Sequence, residues 1–152
     1  MFKNDLLKNK TIIITGGGTG LGKSMAKRFG ELGANLVLTS RSQEALDKAA
    51  RDINDKTGAE ILTVSTDIRH SDQVTEMVKK AVDKFGNIDC LLNNAAGNFI
   101  SPTENLSENA FRTIIDIVLV GTFNCTQAAG KVMRDSGGGV ILNIVTTYAF
   151  TG

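Results

Sequence analysis

The sequence predicts an α/β protein built on a doubly wound parallel sheet with helices on both faces. Three observations predict it. An apolar β-branched run, Ile12, Ile13 and Ile14, leads directly into glycines at 16, 20 and 22, and a stripe of Leu21, Met25, Phe29 and Leu32 follows at helical spacing. Four further short β-like runs come after it, separated by helical patterns. Strands joined through helices imply right-handed crossovers, and those make the sheet parallel. Ligands bind beyond the carboxyl ends of the strands in such a sheet, so the residues after each strand carry the functional reading.

The elements follow in order. The first strand, 12–14, feeds a helix that begins in the glycine turn. Residues 35–39 form a second β-like run after Gly33. Ser42 is placed to cap a helix carrying Leu46, Ala49, Ala50 and Ile53, which Gly58 ends. Residues 60–65 are a third strand. Ser71 is placed to cap a helix with Val74, Met77, Val78, Ala81, Val82 and Phe85, stopped by Gly86. Residues 88–92 are a fourth strand. Ser107 opens a helix bearing Phe111, Ile114, Ile115, Val118 and Leu119, which runs on past Gly121 or restarts there. Glycines at 137–139 break the pattern, and 140–145 form a fifth strand.

Bulk properties narrow the function class. At 152 residues the chain fits one domain and can bury a core. A net charge of +1 argues against nucleic acid as the main partner, because phosphate-dominated binding needs a basic face. Cys90 and Cys125 lack metal-ligand spacing and are expected as buried thiols in a reducing compartment. The first ten residues lack the apolar run of a signal peptide, and no stretch is long and apolar enough to span a membrane. The cytoplasm is the expected location, without membrane contact. His70 is the only histidine, so neither a histidine-based triad nor a multi-histidine metal site can be built, and no metal is expected.

The turn after the first strand is a pyrophosphate site in the making. Glycine lets the backbone approach a ligand, and a helix start offers unpaired N–H groups with a partial positive charge. The expected contacts are Gly16, Gly17, Gly18, Thr19, Gly20, Leu21 and Gly22. After the second strand, a site that prefers NAD places a carboxylate to hold the ribose 2′-hydroxyl. Ser40 and Arg41 stand there instead, and a hydroxyl with a guanidinium suits a 2′-phosphate. NADP(H) is therefore the expected cofactor, although a solvated arginine opening a helix would look the same. After the third strand, Asp67 is placed to accept from adenine with Ile68 against the ring, or to face the following helix start.

After the fourth strand comes a run of small residues, Asn93, Asn94, Ala95, Ala96 and Gly97, then Asn98, Phe99, Ile100, Ser101 and Pro102. The turn at 15–22, Asp67 and this run together resemble the short-chain dehydrogenase/reductase (SDR) family, whose fold is Rossmann-like. Residues 94–107, then Asp116, Ile117, Val118 and Leu119, then Thr146, Thr147, Tyr148 and Ala149, resemble the NADPH-dependent 2,4-dienoyl-CoA reductases within it. Many SDR enzymes carry an asparagine where this chain has Val118. The resemblance implies Asn94 and Ala95 as cofactor contacts and Asn98 and Tyr148 as the catalytic pair acting on a thioester carbonyl. It also implies substrate contacts at Arg69, Phe99 and Ser107, although a helix N-cap alone explains Ser107. The substrate would be an acyl-CoA thioester, and the assembly a homo-oligomer, a tetramer.

By the same resemblance, residues 1–152 are expected to correspond to the dinucleotide-binding portion of one SDR domain, with the remainder of that domain absent. The fold is expected to be incomplete on its carboxyl-terminal side, and the chain alone inactive. A 3-oxoacyl thioester reductase and a non-catalytic nucleotide-binding module stay open as alternatives.

Overall fold

The computed structural model describes Lys3 and residues 5–146. Tyr148 lies outside the described residues. Twelve elements follow one another: β1 (Thr11–Thr15), α1 (Gly20–Glu31), β2 (Asn35–Ser40), α2 (Gln43–Thr57), β3 (Ile61–Ser65), α3 (Ser71–Phe85), β4 (Cys90–Asn93), a short 3-10 turn (Thr103–Asn105), α4 (Glu108–Ile115), a widened π-helical turn (Asp116–Gly121), α5 (Thr122–Asp135) and β5 (Val140–Asn143).

The strands form one five-stranded sheet in the order β3-β2-β1-β4-β5, and every pair is parallel. Chain progression runs outward from β1 through β2 to β3, then returns to the other side of β1 for β4 and β5. The order therefore reverses between β1 and β4, where crossover helices leave on opposite faces and a crevice opens. The period-2 alternation of β1 divides the core accordingly. Ile12 and Ile14 pack with Ala26, Leu36, Leu38, Leu46, Ala49 and Ile53 under α1 and α2. Ile13 packs with Val37, Val74, Met77, Leu91, Cys125 and Ala129 under α3 and α5. Burial on both faces explains why the inner strands read as continuous apolar runs.

Several expectations shift. Ser71 does not cap α3: the N-cap is His70, whose N–H closes a turn onto the Asp67 carbonyl at 3.0 Å, so the helix starts one residue earlier than a serine cap would set it. The fourth strand, expected over 88–92, pairs over Cys90–Asn93. Asp89 precedes the regular ladder, with its carboxylate accepting from the Thr11 N–H at 2.9 Å. The fifth strand is four residues rather than six, continued by a single bond from Ile144 N–H to the Asn93 carbonyl. The helix opened by Ser107 does run past Gly121, but through the widened turn. Cys125 is fully buried, and burial pushes its thiol up to about 12; Cys90 is only half-buried.

Candidate functional site

The glycine turn is shaped by backbone demands that only glycine meets. Gly16 sits at φ 67 and Gly20 at φ 52, in the left-handed region. The Gly16 and Gly17 N–H groups both donate to the Thr39 carbonyl, at 2.8 and 3.3 Å, which binds the turn to the end of β2. Gly22 lies in the first turn of α1 against the Gly16 carbonyl and 2.6 Å from the Asn94 amide nitrogen, measured from where a Cβ would stand. No side chain fits there. The helix start itself is left open: the Thr19 side chain makes no capping bond, and the first turn holds no acid. By contrast, Ser42 accepts from Ala45 N–H and Ser107 from Ala110 N–H, each at 3.2 Å, so α2 and α4 carry their own caps. An uncapped, dipole-positive N-terminus beneath glycines is the arrangement that receives a phosphate.

The exits of β1 and β4 are stitched together beside it. Thr15 Oγ1 accepts from the Asn94 and Ala95 N–H groups, both at 2.9 Å, and donates to the Leu92 carbonyl at 3.4 Å. Asn94 Nδ2 donates back to the Thr15 carbonyl at 2.9 Å. The result is a cleft of about 420 Å³ over the point where strand order reverses. Ten of the twelve expected cofactor residues line it: Gly16, Thr19, Gly20, Leu21, Gly22, Arg41, Asp67, Ile68, Asn94 and Ala95. Gly17 and Gly18 do not. Gly17 is buried against the Ile14 carbonyl and Leu38, while Gly18 faces Ala45 and an adjoining cavity.

At the β2 corner, Ser40 and Arg41 border the cleft, and positions 39–43 hold no carboxylate. At the β3 corner, the Asp67 carboxylate is chelated by Arg69. Oδ1 accepts from Arg69 N–H at 3.1 Å and from Nε at 2.9 Å; Oδ2 accepts from Nε at 3.0 Å and from Nη2 at 2.5 Å. That guanidinium, opposed by desolvation, holds the Asp67 carboxyl down at about 2, and the Arg69 pKa rises in turn. Thr39, Thr66, Ala96 and Ile117 also line the cleft. Thr15 was legible as the last residue before the glycines; Ile117 had no local signal, because the widened turn brings it there.

The expected catalytic residue Asn98 and the expected substrate residues Phe99 and Ser107 lie elsewhere. Asn98 and Phe99 are exposed in the irregular segment after β4, and Ser107 is the N-cap of α4. None of these lines the cleft, whereas Arg69 stands beside it through Asp67.

Residues 10–152 match the short chain dehydrogenase family, and the chain belongs to that family. Among curated relatives, it is 44% identical over 145 residues to a probable 2,4-dienoyl-CoA reductase [(2E)-enoyl-CoA-producing] of Bacillus subtilis, covering 95% of this chain and 57% of the relative. It is 40% identical to the peroxisomal 2,4-dienoyl-CoA reductase [(3E)-enoyl-CoA-producing] of Mus musculus, covering 100% and 52%. The chain thus spans about half the length of the curated relatives it matches. Among solved structures, a short chain dehydrogenase from Bacillus anthracis superposes with a TM-score of 0.90 at 48% identity, over 95% of this chain and 58% of that one. The L-sorbose reductase of Gluconobacter frateurii, solved with NADPH and L-sorbose, gives 0.91 at 26%, over 98% and 57%. The Rossmann-like fold and the kinship with dienoyl-CoA reductases expected from the sequence are borne out.

Proposed function

We propose that the protein reduces a 2,4-dienoyl-CoA thioester to a 3-enoyl-CoA with NADPH as hydride donor. The observation that carries the cofactor reading is the cleft at the strand-order reversal, whose β2 corner offers Ser40 and Arg41 and no carboxylate. The dienoyl thioester is supported by curated relatives that bear that name over nearly the whole chain. The site residues fit a dinucleotide: glycines that leave no room for side chains, an uncapped helix start for the pyrophosphate, Arg41 for the 2′-phosphate, and Asp67 with Ile68 for the adenine.

NADPH, when bound, supplies the hydride to the far end of the conjugated system. Negative charge then develops on the thioester oxygen. The Asn98 amide and the Tyr148 hydroxyl are the two donors we assign to that oxygen, stabilising the dienolate as an oxyanion hole does. Protonation at the α-carbon completes the 3-enoyl product. The relatives' names divide between (2E)- and (3E)-enoyl products, and our reading follows the second group. A reducing compartment, the cytoplasm, is supported by two free thiols; the mouse relative is named peroxisomal.

The test is Tyr148→Phe and Asn98→Ala in a protein carrying this chain at the length of its relatives. Each interaction strengthens chiefly in the transition state, so its loss lowers kcat more than it raises KM. We expect kcat to fall roughly 100-fold or more for each variant, with NADPH binding retained. Near-wild-type turnover by Tyr148→Phe would remove this tyrosine from the mechanism.

A further inference from the structure

We propose that Arg69 is a positioning residue for the cofactor's base: it fixes the Asp67 carboxylate in one orientation at the cleft, so that adenine is read by an Asp67–Arg69 unit. The inference rests on the reading of Asp67 as the adenine acceptor. It starts from the lone pairs of the carboxylate. Two oxygens offer about four acceptor sites. Three Arg69 hydrogens, on the backbone N, Nε and Nη2, occupy most of them, with Nε shared between both oxygens. About one site is left for a donor from the cleft. A free carboxylate would rotate and accept from solvent in many directions, whereas the chelated one presents a single direction at no ordering cost on binding.

The backbone around this pair is held by other groups. Asp67 N–H donates to the Gln73 amide oxygen at 2.9 Å. Asn124 Nδ2, from α5, donates to the Ile68 carbonyl at 3.0 Å and to the Arg69 carbonyl at 3.3 Å. Ile68 fills the notch at Gly121, where a Cβ would stand 2.5 Å from it. Removing the Arg69 side chain is therefore expected to leave the loop in place and to release the carboxylate from every Arg69 donor but the backbone N–H on Oδ1. The guanidinium also feels Asp116 at the start of the widened turn, a second anion on the side of α4.

The experiment compares affinity for NADPH with that for its hypoxanthine analogue, which lacks the adenine amino group. The wild-type protein is expected to prefer NADPH about tenfold, the worth of one hydrogen bond. Asp67→Ala is expected to abolish that preference. Arg69→Gln is expected to bring it within about threefold of unity although Asp67 is intact, while affinity for reduced nicotinamide mononucleotide, which has no adenosine half, stays unchanged. Arg69→Lys keeps the charge and lacks the two-point fork, so it is expected to behave like Arg69→Gln. Full preference retained by either Arg69 variant overturns the proposal, as does a matching loss of mononucleotide binding, which would mark a purely structural role. Full preference retained by Asp67→Ala overturns the adenine reading itself.

Discussion

At residue scale, Arg41 and Asp67 face the same cleft from neighbouring strand ends with opposite charge. Arg41 is exposed at the rim, at the corner we propose for the ribose 2′ substituent. A charge-assisted hydrogen bond contributes roughly 1.5–3 kcal/mol. Arg41→Ala is therefore expected to weaken NADPH binding by about 10- to 100-fold and to leave NADH nearly unchanged, as read by titration. Equal losses for both cofactors would place Arg41 outside the phosphate site. The glycines and Arg41 were legible in the sequence because sterics and charge type are local properties. The Asp67–Arg69 chelate was not. Residues two apart meet only when the intervening loop turns back on itself, and that turn depends on Gln73, Asn124 and Gly121 from other segments.

At the scale of elements, helix starts differ: α3, like α1, lacks a side-chain cap, but its first turn holds Asp72, whereas that of α1 holds no acid. Ser42 and Ser107 close the N-termini of α2 and α4, whereas α1 is left without a side-chain cap under the glycines. Ser107 is thus accounted for by its bond to Ala110 N–H, with no substrate required. Ser107→Ala is expected to cost about 1 kcal/mol in urea unfolding, with no change in NADPH affinity. Unaltered stability with a raised KM for the thioester would return Ser107 to the substrate. The order of the strands and α-helices was legible, because each helix carries its apolar stripe and a glycine or serine at its boundary. Gly58 ends α2 in the left-handed region at φ 68, the conformation that glycine adopts freely. The widened turn at Asp116–Gly121 was not legible. The same apolar residues would satisfy an ordinary helix, and the turn ends at Gly121, where a Cβ would stand 2.5 Å from Ile68. The ends of β4 and β5 moved because hydrogen bonds to neighbours, which a single strand's pattern does not contain, decide where a ladder begins and stops.

At the scale of the whole molecule, two of the apolar surfaces exposed among the described residues stand out. One is the face of α4, the widened turn and α5, where Phe111, Leu119 and Phe123 are 54%, 63% and 58% exposed. The other is β5 with its continuation, including Val140, Leu142 and Val145. Single exposed apolar residues are ordinary, but contiguous ones on adjoining turns mark contact surfaces. We propose that, in a protein carrying this chain at the length of its relatives, the helical face is the seam of a homo-oligomer, a tetramer. Light scattering of that longer protein at micromolar concentration is expected to give the mass of more than one copy, and a monomeric mass would refute the proposal.

Substrate choice decides whether this cofactor cleft serves a conjugated thioester. A protein carrying this chain at the length of its relatives should be given NADPH with a 2,4-dienoyl-CoA and, separately, with a 3-oxoacyl-CoA. NADPH consumption and product identity are followed in each. NADPH is expected to be oxidised with the dienoyl thioester, giving a 3-enoyl-CoA, with no turnover of the 3-oxoacyl thioester. Turnover of the 3-oxoacyl thioester with the dienoyl thioester left intact would contradict that expectation.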